Sequence, residues 1–474
     1  MVRAMRALIA SLSLALACAF GSACGGDDAG GGGDGGDGDA APELIDIPID
    51  LQRALDVLFV VDDSATMSQE QAALASGFPA FVQALTDTDE PVDLHIGFVS
   101  SNVGTGPEGA GGVSCTGDGD AGHLLLSASC PALTDEARYL AHRVAADGEA
   151  EVNYTGDLAS QLECEAGLGT SGCGFEQHLE SMRRALENDV ENAGFLRDQA
   201  NLAVIVLADE DDCSASDRGL FAAQPGGDTR SSPLGELTSF RCFEFGITCQ
   251  GDEDERALGP RQGCVPDDAS DYVEPVATYA DFLTELKGGA HRIAFAAITA
   301  GSQPVAVGIE ENEDRLWVEP QCVVCPDGSP AGCPIESGTA DDALVAAAPA
   351  IRLHTLADRF ASRSQVEDIC AWRAAAHAVD YRPALGRIGE RLRVDGGSRC
   401  LARAPADRDP AVDGVQPLCE VLEGEVTIPS CGELSAPCWY LAHAAECADS
   451  ETALVIDRGD SSAATGAVAI RCAD

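Results

Sequence analysis

Several short stretches of the chain are apolar at consecutive positions, unlike strands that alternate apolar and polar residues. Residues 57–61 and 203–208 are the clearest examples, because every position in them is Ala, Val, Leu, Ile or Phe. This pattern is typical of parallel strands that are covered by helices on both faces. Residues 92–99 and 292–298 are predicted to be further strands.

Apolar residues at helical spacing follow or separate these strands. Phe78, Phe81 and Leu85 continue a helix that we expect to be N-capped by Ser68. Pro79 is expected to kink or interrupt this helix, because proline lacks an amide hydrogen. Further helices are predicted over residues 175–188, 279–286, 351–360 and 381–392. The alternation predicts an α/β fold with a doubly wound, mainly parallel sheet.

Parts of the chain depart from this alternation. Residues 103–165 and 302–345 are expected to be loop insertions in the sheet domain, which is predicted to span residues 44–395. Residues 396–474 contain six cysteines, several prolines and short β-like runs. They predict a small C-terminal disulfide-rich β module.

The N-terminal segment has the organisation of a secretory signal. Two arginines precede an apolar stretch at residues 7–20 that is too short to span a bilayer comfortably. The small residues before Cys24 resemble a bacterial lipobox, in which the signal peptide is cut before a cysteine that then carries diacylglycerol. The resemblance implies a signal peptide over residues 1–23 and lipidation of Cys24. Cys18 offers a competing site, and simple secretion remains the alternative.

Residues 24–43 are built almost wholly of Gly, Asp and Ala. Such a segment cannot bury a core, so we expect a flexible tether that holds the folded part away from a membrane. By resemblance to other lipoproteins, Gly25 and Gly26 provide no inner-membrane retention signal. The expected location is therefore the cell envelope, with a lipid anchor in the outer membrane and the protein on its periplasmic or surface face.

The cysteine count points to the same compartment. The chain has 20 cysteines, and 18 remain if Cys18 leaves with the signal peptide and Cys24 is lipidated. An even number of cysteines in an exported chain indicates disulfides. Two pairs that are close in sequence are expected to form loop disulfides: Cys115 with Cys130, and Cys164 with Cys173.

The formal net charge of −50 at pH 7 limits the possible partners. Such a surface repels nucleic acid phosphates and anionic lipid headgroups. We therefore expect no nucleic-acid partner, and contact with a membrane only through the lipid anchor.

Two apolar strands end in carboxylates. Asp62 and Asp209 each follow one of the two fully apolar stretches, and Ser64 and Thr66 place hydroxyls at alternate positions after Asp62. In an open α/β sheet, ligands bind beyond the carboxyl ends of the strands. If the two strands are neighbours, these oxygens converge on one point. Carboxylate and hydroxyl oxygens suit Mg²⁺, Mn²⁺ or Ca²⁺ rather than a soft metal.

The segment from Asp62 to Met67 reads Asp-Asp-Ser-Ala-Thr-Met. It resembles Asp-x-Ser-x-Ser, the first motif of the metal-ion-dependent adhesion site in von Willebrand factor type A domains, with Thr66 in place of the second serine. Asp209 resembles the third motif, an aspartate that ends an apolar strand. Thr170 best matches the second motif, a threonine in a glycine-rich turn, and Thr155 is its rival. The resemblance implies a metal site formed by Asp62, Ser64, Thr66, Thr170 and Asp209.

The resemblance also implies a function. A divalent cation held largely by neutral oxygens keeps an exchangeable position, which an acidic side chain of a partner can occupy. We therefore expect an adhesion or binding lipoprotein rather than an enzyme. Its expected partner is a protein or another macromolecule that offers a carboxylate.

Three other interpretations of the same residues remain. Asp62 and the hydroxyls after it could form only a helix N-cap cluster. The same fold could serve as a structural or assembly protein of the cell envelope with an inactive metal site. A hydrolase that uses the acids around Asp209 is the third alternative, although no histidine stands in a His-Glu-x-x-His pattern.

Overall fold

A computed structural model describes most of the chain beyond residue 43. The described residues are 44–52, 54–87, 93–107, 115–144, 149–251, 254–310, 315–324, 345–360, 363–373, 378–395, 398–408, 411, 416–424, 426–432, 436–444, 447, 449–458 and 468–473. The part of the chain from Glu43 to Asp474 forms one compact unit.

Helices and strands are distributed over the described residues of this unit. The helices α1 to α7 are Ser68–Thr86, Leu158–Glu165, His178–Glu187, Phe240–Gly246, Val276–Lys287, Ile351–Arg359 and Arg382–Asp395. The strands β1 to β24 are Leu44–Ile47, Ile49–Gln52, Ala54–Val61, Asp93–Ser100, Leu140–Val144, Ala150–Val152, Asn201–Leu207, Ile247–Thr248, Gly259–Arg261, Val265–Pro266, Ile293–Thr299, Val305–Glu310, Arg315–Val318, Cys322–Val324, Val345–Ala347, Ser364–Asp368, Trp372–Arg373, Ala378–Val379, Ser398–Leu401, Cys419–Glu423, Val426–Ile428, Cys438–His443, Thr452–Asp457 and Val468–Ala473.

The central sheet has seven strands in the order β16-β11-β7-β3-β4-β5-β6. The first five are parallel to one another, and β5 and β6 add an antiparallel edge. The prediction of a mixed α/β fold with a mainly parallel sheet is confirmed. The chain runs from β3 to β4 on one side and later to β7 on the other, so strand order reverses between β3 and β7.

Both faces of β3 are buried, which explains its run of consecutive apolar residues. Phe59 belongs to one apolar cluster together with Phe78 of α1 and Leu385 of α7. Val60 belongs to a second cluster together with Leu179 of α3. Adjacent positions of a strand point to opposite faces, so each face of the sheet requires its own apolar residues.

Helix α1 corrects two expectations. It runs without interruption from Ser68 to Thr86 and contains Pro79, so the predicted restart at Pro79 is wrong. Phe78 and Phe81, on either side of the proline, are fully buried, and their packing offsets the one missing helical hydrogen bond. The expected cap is also wrong, because Met67 occupies the N-cap position without a side-chain hydrogen bond.

The two predicted loop insertions contain regular structure. Within residues 103–165, β5 and β6 extend the central sheet and α2 follows them. Within residues 302–345, β12 and β13 pair as neighbours and join β9 in a three-stranded sheet. Every residue of β6 is exposed, so this strand has no apolar face to reveal it in the sequence.

Two four-stranded antiparallel sheets contain the C-terminal strands. Their orders are β1-β24-β20-β21 and β2-β19-β23-β22. Each sheet therefore takes one strand from the beginning of the compact unit, an arrangement that the sequence does not predict. The boundary at residue 396 stays a prediction.

The disulfides of the insertion differ from those expected. Cys115 bonds to Cys173, and Cys130 bonds to Cys164, so both predicted pairs are wrong. The prediction paired cysteines that are close in sequence. In the folded chain, Cys115 instead lies next to Cys173, which is 58 residues further along. Further disulfides between described residues join Cys213 to Cys242, Cys249 to Cys264, Cys400 to Cys447, Cys419 to Cys472 and Cys431 to Cys438.

The proposed signal peptide, Cys24 and the tether fall within residues 1–43, which lie outside the described residues. They stay predictions. Across the ranges that the structure describes, no helix combines the length and apolar character needed to cross a bilayer.

Candidate functional site

Asp62 and Asp209 lie at the same edge of the central sheet. The backbone N–H of Asp62 donates to the carbonyl oxygen of Leu207 at 3.0 Å, which continues the pairing of β3 with β7. Asp209 follows β7 after one intervening residue. Both side chains are buried, with exposed fractions of 0% for Asp62 and 3% for Asp209. They therefore stand where strand order reverses and where open α/β sheets bind ligands.

Hydrogen bonds connect the two aspartates through the hydroxyls between them. The backbone N–H of Ser64 donates to Asp62 Oδ1 at 2.7 Å, which forms a tight turn after β3. The hydroxyl of Thr66 donates to Asp209 Oδ2 at 2.7 Å and lies 3.2 Å from the hydroxyl of Ser64. Four of the predicted site residues, separated by up to 147 positions in number, thus lie together.

The segment that carries Thr170 lies against this turn. Gln71 on α1 donates from Nε2 to the carbonyl oxygens of Asp62 and Gly169, each at 2.8 Å. The backbone N–H of Gly169 donates back to Gln71 Oε1 at 3.2 Å. Gln71 therefore fixes the distance between the two segments, and Thr170 is half-buried beside it.

A second contact in the same segment requires glycine. The backbone N–H of Gly172 donates to the carbonyl oxygen of Asp63 at 2.7 Å, and a Cβ atom at Gly172 would collide with the Asp63 carboxylate. Thr155, the rival of Thr170, is exposed in the turn after β6, the outermost strand of the sheet. The segment in contact with the Asp62 turn is the one that contains Thr170.

Several buried polar atoms at this edge lack a hydrogen-bond partner within the described part of the chain. They are Asp62 Oδ2, Asp209 Oδ1, Glu70 Oε2 and both ring nitrogens of His178. His178 Nε2 lies 3.4 Å from Asp62 Oδ2. Buried polar atoms are normally paired. The oxygen on each aspartate that lacks a hydrogen bond therefore fits an additional electropositive neighbour, and for Asp62 Oδ2 the ring of His178 already provides one.

Negative charge accumulates around these oxygens. Burial raises the pKa of Asp209 well above its ordinary value, and the charges of Asp62 and Glu210 raise it further. Burial, followed by the charges of Asp62 and Asp120, raises the pKa of Asp63 to about 7. A nearby cation would stabilise the ionised forms and lower these pKa values.

His178 and Glu176 are two residues of this site that the sequence does not reveal. Burial lowers the pKa of His178, but its 3.4 Å contact with Asp62 and the negative charges of Asp62 and Asp212 outweigh the effect of burial, so the net shift is upward. Burial raises the pKa of Glu176 well above its ordinary value, and Glu210 and Asp62 add to the effect. In the sequence these residues look like the solvated start of a helix.

The donor set fits a hard divalent cation. Among the described residues, no group of three or more His, Cys, Asp or Glu side chains is arranged to hold a metal ion. The candidate set is of another kind, with two carboxylates and two hydroxyls from Asp62, Asp209, Ser64 and Thr66. Oxygen donors of this mixed charge match the preference of Mg²⁺, Mn²⁺ and Ca²⁺.

Comparisons with known proteins give only distant similarities. No family model matches the chain, and no curated protein matches it. Among solved structures, the chain is similar to the pilus adhesin SpaC from Lactobacillus rhamnosus GG, with a TM-score of 0.29 and 10% identity over 89% of this chain and 39% of the adhesin. It is also similar to a von Willebrand factor type A protein from Catenulispora acidiphila, with a TM-score of 0.28 and 9% identity over 91% of this chain and 66% of that one. Each match covers less than two thirds of the other protein, and TM-scores this low do not establish a shared fold.

Proposed function

We propose that the protein is an extracytoplasmic binding protein that engages an acidic partner through a divalent cation. Its α/β body is a doubly wound domain of the von Willebrand factor type A kind. Its metal-ion-dependent adhesion site consists of Asp62, Ser64, Thr66, Thr170 and Asp209. The observation that carries the proposal is the convergence of two buried aspartates and two hydroxyls, in which each aspartate retains an oxygen without a hydrogen-bond partner among the described residues.

The balance of charge favours this role for the site. When bound, Mg²⁺, Mn²⁺ or Ca²⁺ supplies a positive centre that can accept a carboxylate oxygen from outside. Asp62 and Asp209 offset that charge, while Ser64 and Thr66 contribute neutral oxygens, so the set of four leaves room for a further oxygen ligand from outside. The partner is a protein or another macromolecule that presents an aspartate, a glutamate or a similar carboxylate. The protein binds this group and does not transform it.

Attachment to the cell envelope is part of the proposal. The signal-like sequence before Cys24 and the Gly- and Asp-rich tether after it support a lipid anchor, with the outer membrane as its location. Membrane fractionation of a Cys24→Ala variant tests the anchor. If that variant remained in the membrane fraction as fully as the wild type, lipidation of Cys24 would be excluded.

Titration with Mn²⁺ and Mg²⁺ tests the cation site. We expect the purified protein to bind one divalent ion per chain, and Thr66→Val to weaken binding by about tenfold or more because it removes a ligand and a hydrogen bond to Asp209. Isothermal titration calorimetry measures both. Thr86→Val is the matched control, since its hydroxyl donates to the Val82 carbonyl oxygen at the C-terminal end of α1.

A paramagnetic measurement tests the carboxylate partner. With Mn²⁺ bound, N-acetyl-aspartate methylamide should show broadened NMR lines in the presence of the wild-type protein, and EDTA should restore them. N-acetyl-asparagine methylamide should stay sharp. If the folded wild type binds no divalent ion, the proposal fails and the structural or assembly role with an inactive site gains support.

A further inference from the structure

A cleft of about 360 Å³ adjoins the candidate cation site. It is lined by Glu210, the next residue after Asp209, and by residues of α4 and β13. The disulfide between Cys213 and Cys242 joins α4 to the segment that follows Asp209. This volume lies at the lower end of the range of about 300–1,000 Å³ for ligand sites, which suits a single side chain.

A buried carboxylate lines the cleft on the side of the cation site. Glu176 has an exposed fraction of only 3%. The charges that act on it most strongly, those of Glu210, Asp62 and Asp209, are all negative. No positive charge dominates its surroundings, and a cationic group placed beside it would stabilise its ionised form against the cost of burial.

The other charged residues of the cleft do not cancel this negative charge. Asp211 and Asp212 line it as well and accept hydrogen bonds from Arg352, at 2.9 Å from the backbone N–H and 3.1 Å from Nε. These two carboxylates are therefore already paired. Arg315 also lines the cleft, but it is exposed, so solvent screens its charge.

Aromatic rings form part of the wall of the cleft. Phe240 and Phe243 lie on one face of α4 with ring centroids 5.7 Å apart, and Trp317 of β13 completes the wall. Thr238 also lines the cleft, and its buried hydroxyl has no hydrogen-bond partner among the described residues. A carboxylate, aromatic rings and an unpaired hydroxyl that line one cleft suit a cationic group with an apolar stem.

We propose that this cleft binds an arginine or lysine side chain of the partner protein. The occupant places its charged head near Glu176 and its stem against Phe240, Phe243 and Trp317. The inference rests on the proposed function for one point, namely that the same partner also presents the carboxylate to the cation site. The recognised motif is then an acidic residue and a basic residue displayed together, and the cleft determines specificity.

Two small ligands of the same shape test whether the charge of the bound side chain, rather than its size, determines affinity. N-acetyl-arginine methylamide carries a guanidinium, and N-acetyl-citrulline methylamide replaces it with a neutral urea. We expect the full protein, titrated in EDTA and followed by ligand-observed NMR, to bind the arginine ligand about tenfold more tightly. Glu176→Gln should remove that preference, whereas Glu163→Gln, on the exposed side of α2, should keep it.

A second variant protects the test against a folding defect. Phe243→Leu should weaken the binding of both ligands while circular dichroism stays unchanged, because it removes a ring but leaves Glu176 in place. Equal binding of the two ligands by the wild type, or no binding of either, would overturn the inference. Since these titrations contain no divalent ion, their outcome is independent of the cation titrations that test the proposed function.

Discussion

Glu70 carries the buried site carboxyl group whose pH behaviour is simplest to test. Its side chain is almost fully buried, with an exposed fraction of 1%. Burial raises its pKa from 4.5 to about 7. Between these values the folded protein retains a proton that the unfolded chain has released, so folding stability falls as pH rises through this window.

Glu70→Gln should therefore stabilise the cation-free protein more at pH 8 than at pH 5. The difference should be about 1–3 kcal/mol, because the amide never has to ionise. Urea unfolding in EDTA at both pH values measures it. Glu163→Gln, at an exposed position of α2, is the control and should follow the wild type. If the free energy of unfolding of Glu70→Gln changed with pH as that of the wild type does, the assigned pKa shift would be contradicted.

The position of an individual residue can be predicted from the sequence where regular backbone geometry, such as the end of a parallel strand, determines it. Asp62 and Asp209 each follow an apolar strand, and parallel neighbouring strands bring their ends to one edge, so their proximity could be expected. His178 and Glu176 could not be found in this way. They reach the edge through the packing of a turn at the beginning of α3, which no spacing of residues describes.

Lys287, the only lysine in the chain, joins elements at the amino end of the central strands. Its Nζ atom donates to the carbonyl oxygens of Arg197 and Ala200, each at 2.8 Å, and lies 3.4 Å from Asp56 Oδ2. Asp56 is fully buried in β3 and also bonds to Arg197 Nε at 2.8 Å. The contacts of Lys287 thus connect the last turn of α5 to β3 and to the loop before β7.

Lys287→Met should destabilise the protein by about 1–3 kcal/mol, since it keeps the apolar stem but removes two buried hydrogen bonds and a positive charge beside Asp56. The loss stays below that of a fully broken buried ion pair because Arg197 still neutralises Asp56. Chemical denaturation measures the free energy of unfolding. Arg359→Met, at an exposed position in α6, is the control. If Lys287→Met were as stable as the wild type, the contacts of Lys287 would make no net contribution to stability.

At the scale of elements, burial decides which strands the sequence reveals. The strands β3, β7 and β11 are buried at nearly every position and were predicted from their apolar runs. The strands β6 and β16 were not, because the first is wholly exposed and the second reads Ser-Gln-Val-Glu-Asp. Both lie at edges of the central sheet, where a strand needs fewer apolar residues.

Pairing between distant parts of the chain is what the sequence predicts least well at the scale of the whole molecule. Cysteine parity indicated disulfides correctly but not that Cys115 meets Cys173. Apolar patterning likewise cannot show that β1 and β2 belong with the C-terminal strands. In both cases the partner is selected by the folded geometry, and each segment is compatible with several partners.

Ile47 of β1 tests whether the N-terminal strand and the C-terminal strands stabilise one another. It is 3% exposed and lies in an apolar cluster with Leu401, Val421 and Ile470 of the C-terminal strands. Its backbone is paired opposite Ile470 in the same sheet. Removing its side chain creates a cavity between segments that are more than 350 residues apart in the chain, so the effect should appear in the C-terminal strands as well as in β1.

Ile47→Ala should cost about 2–4 kcal/mol in the stability of this region and speed hydrogen exchange in β20 and β24, measured by mass spectrometry. Ile45→Ala is a control in the same strand, because Ile45 is 42% exposed and its removal should change stability by less than about 0.5 kcal/mol. If Ile47→Ala accelerates exchange in β1 alone, the C-terminal strands hold together without the N-terminal one. If both regions respond, the start of the compact unit is an integral part of the C-terminal sheet.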